Sequence, residues 1–130
     1  MKYLLDTNAV IALLGGNSLV QQHLRRVSAS DTALSSLVMH ELYFGAYKGV
    51  RTNETLLNYG QLRLAIVPFT ADDALRAAEI RAVLQRRGTP IGPIDTLIAG
   101  QALARDLTLV TRNTREFLRV DDLRVENWEA

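Results

Sequence analysis

No cysteine occurs among the 130 residues of the chain. That absence excludes disulfides, thiolate metal sites and a cysteine nucleophile, and it suits a reducing cytoplasm. Histidine is almost as scarce. His23 and His40 fall in separate predicted helices and lack the spacing of a zinc site. Net charge is nearly absent too: 15 lysines and arginines face 14 aspartates and glutamates, for a formal charge of +1. Long-range attraction to a polyanion is therefore not written into the composition, and a nucleic acid would have to be held by local patches. No uninterrupted apolar segment is long enough to span a bilayer. Asp6 and Asn8 interrupt the apolar N-terminal stretch, which argues against a signal peptide. A soluble, cytoplasmic protein with no membrane partner is expected.

What is present is an ordinary globular composition, 48% apolar, with a length that suits one domain. Short apolar runs alternate with helical patterns. Tyr3 to Leu5 reads as a strand and Ala9 to Leu14 as helix, closed by Gly15-Gly16. Leu19 to Val27 has helical periodicity, Ala33-Leu34 is a short strand, and Ser35-Ser36 can cap a helix from Leu37 to Tyr47. A further helix is expected from Glu54 to about Arg63, then a strand at Ala65 to Val67 before Pro68. Thr70 and Asp73 have capping-box spacing ahead of a helix that ends at Arg86-Arg87-Gly88. After a stiff loop, Thr89 to Pro93, a helix runs from Ile94 to at least Leu103. Leu107 to Thr111 reads as a buried strand, Asn113 to Phe117 as a loop or one helical turn, and Leu123 to Val125 as an edge strand. This alternation predicts an α/β sandwich with a mainly parallel sheet.

Polar clusters stand at the joints of this pattern. In an open parallel sheet, ligands bind at the carboxyl ends of strands. Asp6-Thr7-Asn8 follows the first strand and opens a helix, so Asp6 suits a helix cap and a binding site equally well. Glu41 lies within an apolar helix, and Asp95 sits between a proline-glycine loop and another apolar helix. Thr111-Arg112-Asn113-Thr114-Arg115-Glu116 follows a buried strand. Each acid alone has an ordinary explanation as an exposed or capping residue. Together, several separate elements deliver acids to strand ends or helix starts. Two like charges about 4 Å apart repel by roughly 4 kcal/mol at an effective dielectric of about 20. Converging acids therefore need protons or a cation, and oxygen-only ligands favour Mg²⁺ or Mn²⁺ over zinc. Mg²⁺ held by carboxylates commonly serves phosphate chemistry.

Several segments now carry a family resemblance. They are Leu4-Leu5-Asp6-Thr7-Asn8, Met39-His40-Glu41-Leu42-Tyr43-Phe44-Gly45-Ala46, Gly88 through Gly100, Leu109 through Phe117, and Leu123 through Trp128. In this order they resemble the PIN-domain ribonucleases and, within them, the VapC toxins of type II toxin–antitoxin systems. The resemblance implies a single PIN domain over residues 1–130, with a PIN-like α/β/α sandwich fold. It implies a Mg²⁺-dependent endoribonuclease (Mn²⁺ as the other candidate metal), with a structured RNA such as a tRNA as target. Asp6, Glu41 and Asp95 match the family's acids and would be both metal ligands and catalytic residues. Glu116 is the preferred fourth acid and Asn113 the second candidate. Thr7, Thr111, Arg112 and Asn113 would contact substrate. Partners implied are RNA, a VapB-type antitoxin that blocks the site, and a second copy of the chain, the homodimer assembling with antitoxin into a larger complex. Ile94 and Arg112 depart from the residues expected beside the site, which bears on RNA preference rather than chemistry.

Flanking cations, namely Lys48, Arg51, Arg86, Arg87, Arg112 and Arg115, are candidates for phosphate contacts. Tyr43 and Tyr47 share a helix face. With Phe44, Leu56, Leu57, Tyr59 and Leu62 they leave apolar surface suited to a partner helix. A haloacid-dehalogenase-type enzyme would need an aspartate where Asn8 stands, and a receiver-like protein would need a late lysine, whereas none follows Lys48. The remaining alternative is a catalytically silent PIN-like module that binds RNA or protein. Its mark would be a broken acidic set, and Asp6, Glu41 and Asp95 are all in place.

Overall fold

Three strands of this chain are so short and so apolar that only burial on both faces explains them, as in parallel sheets covered by helices. In a computed structural model describing residues 1–130, Leu4, Leu5, Ala33, Leu34, Leu109 and Val110 are all buried. They form the centre of a five-stranded sheet, order β3-β2-β1-β4-β5, in which every pairing is parallel. The strands are β1 (Tyr3–Leu5), β2 (Thr32–Ser35), β3 (Ala65–Val67), β4 (Thr108–Val110) and β5 (Val125–Glu126). The helices are α1 (Thr7–Leu14), α2 (Ser18–Arg26), α3 (Ser36–Lys48), α4 (Thr52–Gly60), α5 (Ala71–Arg86), α6 (Pro93–Ala104) and α7 (Thr114–Phe117). A 3-10 turn at Ala29–Asp31 precedes β2. The expected α/β/α sandwich is thus observed, with a sheet that is wholly rather than mainly parallel.

Local chemistry accounts for the boundaries. The Asp6 carboxylate accepts from the Ala9 N–H and caps α1, and Gly16, at φ +83, takes the left-handed backbone that ends it. Ser35 caps α3 by accepting from the Leu37 N–H. Thr70 and Asp73 form the reciprocal capping box at the start of α5, and Gly88 (φ +71) follows its end. Asp73 does more than cap: buried, it accepts from Gln101 Nε2 at 3.4 Å and from Arg105 at 3.2 Å. These bonds tie α5 to α6. The two helices also touch backbone to backbone, since a Cβ on Gly100 would lie 2.5 Å from that of Ala77.

Several boundaries move by a residue or two, and two of the shifts have a clear local cause. The helix expected from Glu54 to about Arg63 spans Thr52–Gly60, because the Thr52 hydroxyl donates to the Ala46 carbonyl at 2.8 Å and starts the turn earlier. The edge strand expected at Leu123 to Val125 is Val125–Glu126. Asp122 has φ +66 and turns the chain, so Leu123 drops into the core and ladder pairing begins only afterwards.

The strand order reverses at the centre. From β1 the sheet grows through β2 and β3 on one side and through β4 and β5 on the other. The crevice outside the ends of β1 and β4 is the position such sheets reserve for ligands.

Candidate active site

That crevice is lined by the residues following β1 and β4. Asp6, the residue after β1, is 4% exposed. One of its oxygens, Oδ1, accepts from the Ala9 N–H at 2.8 Å, and Oδ2 accepts from the Thr111 hydroxyl at 2.5 Å. Thr111, just past β4 and also buried, in turn accepts the Asn113 N–H on Oγ1 at 3.0 Å. The Asn113 side-chain amide donates to Glu116 Oε2 at 2.9 Å. A continuous chain of hydrogen bonds therefore runs from the first turn of α1 through Asp6, Thr111 and Asn113 to Glu116 in α7. The two candidates for the fourth site residue, Asn113 and Glu116, are therefore bonded to each other side chain to side chain.

Asp95 arrives from another direction. It lies in the first turn of α6, whose N-cap, Gly92, supplies no side chain. The Asp95 carboxylate folds back so far that a Cβ on Gly92 would be 3.4 Å from its Oδ2. Thr96 fixes the same turn by donating to the Gly92 carbonyl at 2.9 Å. Glu41 comes from the middle of α3, with its side chain 36% exposed and 3.8 Å from His40 Nδ1.

These acids act on one another through their charges. Burial holds the Asp95 pKa above the ordinary aspartate value, and the charges of Asp6, Glu116 and Glu41 push it in the same direction. Asp6 is also raised, chiefly by burial. The hydrogen bonds from Thr111 and Ala9 oppose that shift, Glu129 adds to it and Arg112 offsets it. Four acids from β1, α3, α6 and α7 thus share one electrostatic environment. They stand apart rather than gathered: no three His, Cys, Asp or Glu side chains form a tight metal-chelating group. The donor set nevertheless fits a hard divalent cation, being all carboxylate oxygen with an excess of negative charge. Each Asp6 oxygen accepts a single bond and retains a lone pair for a further partner.

The neighbouring predicted residues divide. Thr7 is the first residue of α1 and half-buried, beside Asp6. Arg112 and Arg115 are exposed, and the Arg112 charge reaches Asp6. Lys48 lies with Nζ 6.0 Å from the Phe44 ring centroid, and Arg51 and Arg86 are exposed. Arg87 leaves the set of free phosphate contacts. It forms a two-pronged ion pair with Asp121, at 2.7 and 3.1 Å, which holds its own pKa up and that of Asp121 down. Sequence reasoning missed Arg119, which braces the loop before α6 by donating to the Pro90 carbonyl at 3.0 Å, and Glu129. Neither has a local signal, since both act across the fold. Tyr43 and Tyr47 line an apolar groove with Met39, Leu56, Leu64 and Ile66.

The PIN-domain family model matches residues 3–123. The chain belongs to the PIN-domain family. Its VapC membership follows from full-length relatives. It is 35% identical to the tRNA(fMet)-specific endonuclease VapC of Salmonella typhimurium, with 98% of both chains covered. It is 37% identical to Ribonuclease VapC2 of Rickettsia felis, with 99% of both chains covered. The crystal structure of VapBC2 from Rickettsia felis, bound to a DNA fragment from its promoter, superposes with a TM-score of 0.92 at 33% identity, covering 98% of this chain and 99% of that one. In this PIN domain Asp6 follows β1, Asp95 lies in the first turn of α6 and Glu116 lies in α7, while Glu41 comes from the middle of α3.

Proposed function

We infer that this VapC-family protein is the toxin of a type II toxin–antitoxin pair, an endoribonuclease that hydrolyses RNA phosphodiesters and is inhibited by a VapB-type antitoxin. The observation that carries the chemistry is the shared field at Asp95, where Asp6, Glu41 and Glu116 converge from three other elements. A silent binding module would have no reason to keep these repelling charges together.

In the proposed site Asp6 and Asp95 hold Mg²⁺, or Mn²⁺, and Glu41 and Glu116 complete the acidic ring. Bound there, such a cation polarises a phosphoryl oxygen and lowers the pKa of the attacking water. Thr111 keeps the Asp6 carboxylate oriented, and Asn113 does the same for Glu116. Glu116 and Glu41 orient the water for attack on phosphorus, which leaves a 5′-phosphate and a 3′-hydroxyl. Thr7 and Arg112 contact the RNA backbone at the rim, and exposed Arg115 extends that contact. The proposed target is a tRNA, supported by the named activity of the Salmonella typhimurium relative.

The apolar groove of α3, α4 and β3 is proposed to receive a helix of the antitoxin, supported by the likeness to VapBC2 and by exposed Tyr47, Phe44 and Leu57. The chain is further proposed to form a homodimer that joins the antitoxin in a larger complex.

Sequencing RNA 5′ ends after brief expression tests this function. Wild type is expected to create new 5′-phosphate ends concentrated in tRNA, and Asp95→Ala is expected to create none. Equal end profiles for the two proteins would contradict the proposal.

A further inference from the structure

Asp95 and Glu116 stand on separate elements, α6 and α7, and the segments that carry them are bonded to each other at two points. Asp95 depends on the loop before α6, because the Gly92 carbonyl accepts both the N–H and the hydroxyl of Thr96, each at 2.9 Å. That loop has few bonds of its own. Pro90 and Pro93 have no N–H to donate, and the N–H groups of Ile91 and Gly92 find no backbone partner. Apart from bonds to α5 and α6, the two helices it joins, one hydrogen bond holds it. Arg119 Nη1 donates to the Pro90 carbonyl at 3.0 Å.

Arg119 belongs to the segment that carries Glu116. Its own N–H donates to the Glu116 carbonyl at 3.0 Å and closes the turn after α7. Phe117 and Val120, both buried, fix this segment in the core. Asp121 then takes the start of the loop, its two oxygens accepting from Arg87 at 3.1 and 2.7 Å. Packing alone does not hold this flank, for a cavity of about 140 Å³ is lined by Val120 and Asp121 together with Ile80 and Val83 of α5. An exposed ion pair adds little to stability. A two-pronged pair does, however, fix the distance and orientation of the groups it joins.

We propose that Arg119 and the Arg87–Asp121 pair are positioning residues for cleavage, a two-point clamp that sets the placement of Asp95 on α6 relative to Glu116 on α7. This rests on the reading of those two acids as members of one hydrolytic site. Misplacing groups by about 1 Å can cost on the order of 100-fold in rate. Release of the clamp therefore acts on the rate of cleavage and leaves RNA affinity as it was.

The test compares single-turnover cleavage of a tRNA transcript, at saturating protein and Mg²⁺, with RNA affinity in an Asp6→Asn background and with melting temperature. Arg119→Ala is expected to slow cleavage about tenfold, within the range that small misplacements produce, at unchanged affinity. Arg119→Lys keeps one donor for the Pro90 carbonyl and should recover most of the rate. Arg87→Asp and Asp121→Arg should each slow cleavage, and the double exchange, which rebuilds the pair in reverse, should restore it. Arg76→Gln breaks another exposed ion pair of α5, with Glu79, and should match wild type. A wild-type rate in Arg119→Ala would overturn the proposal, whatever its melting temperature. So would weaker RNA binding with a shallower salt dependence, the mark of a phosphate contact. A double exchange no faster than its single parents would overturn it as well. Asp95→Ala cleaving at the wild-type rate would instead overturn the reading of the site itself, and this inference with it.

Discussion

The Thr111 hydroxyl donates to Asp6 Oδ2 at 2.5 Å, joining the ends of two adjacent parallel strands by a side-chain bond between residues 105 positions apart. Since Ala9 already occupies Oδ1, this bond fixes the second oxygen and with it the direction of the carboxylate. Thr111→Val keeps the shape but leaves a buried carboxylate oxygen without its donor. It should slow Mg²⁺-dependent RNA cleavage about 10- to 100-fold, the range for outer groups that orient metal ligands. Thr111→Ser should restore most of the rate. Failure of serine to rescue would show that the methyl group, not the hydroxyl, matters.

The repulsion at Asp95 makes a prediction about pH. Burial and its acidic neighbours raise its pKa in the folded chain above the unfolded value of about 3.9. Between those two values the folded state holds the extra proton, so stability falls as pH rises through that interval. In EDTA, acidification from neutral pH toward the unfolded value should relieve this term, and Asp95→Asn should remove it. Asp121, lowered by Arg87, acts with the opposite sign, its contribution lost as pH falls through its folded pKa, so the comparison must be variant against wild type in one buffer. Melting curves should show Asp95→Asn more stable than wild type at pH 7, with the gap closing on acidification. A gap that widens would contradict the assignment.

Gly100 lets α5 and α6 approach until their backbones touch. Gly100→Ala forces a methyl group against Ala77 and should cost about 1–3 kcal/mol, as overpacking does. Urea unfolding measures it. Because α6 carries Asp95, cleavage should fall as well. An unchanged midpoint would mean that the helices separate freely.

Arg112 is exposed, and its charge reaches Asp6. If it contacts a phosphate, Arg112→Ala should weaken RNA binding and reduce the slope of log affinity against log salt by about 0.7 for a single-stranded contact. Filter binding with catalytically inactive protein reads both quantities. An unchanged slope would assign Arg112 to the solvated surface.

These residues show what a sequence reveals and what it conceals. Asp6 and Asp95 stood out because each interrupts apolar neighbours at an element boundary, and the alternation around them was enough to place the strands. Thr70–Asp73 was legible as a capping box because its geometry is local. Arg87 read as a free cation because its partner, Asp121, lies 34 residues away. The charge of Glu129 on Asp6 gave no local signal, because the two are 123 positions apart in the chain. The shift of β5 to Val125–Glu126 arose from a left-handed turn at Asp122 that no hydrophobic pattern announces. Asp6 proved to be the cap of α1, and its charge also acts on Asp95, as the second of the two roles its sequence allowed would require.

The central claim is that four acids from four elements form one Mg²⁺-dependent hydrolytic site. Its most direct test is the cleavage rate of a tRNA transcript by purified wild type and Asp6→Asn, with and without Mg²⁺. Asparagine keeps an oxygen able to accept from Ala9, so the fold should persist by circular dichroism while cleavage disappears. Full Mg²⁺-dependent cleavage by Asp6→Asn would contradict the account.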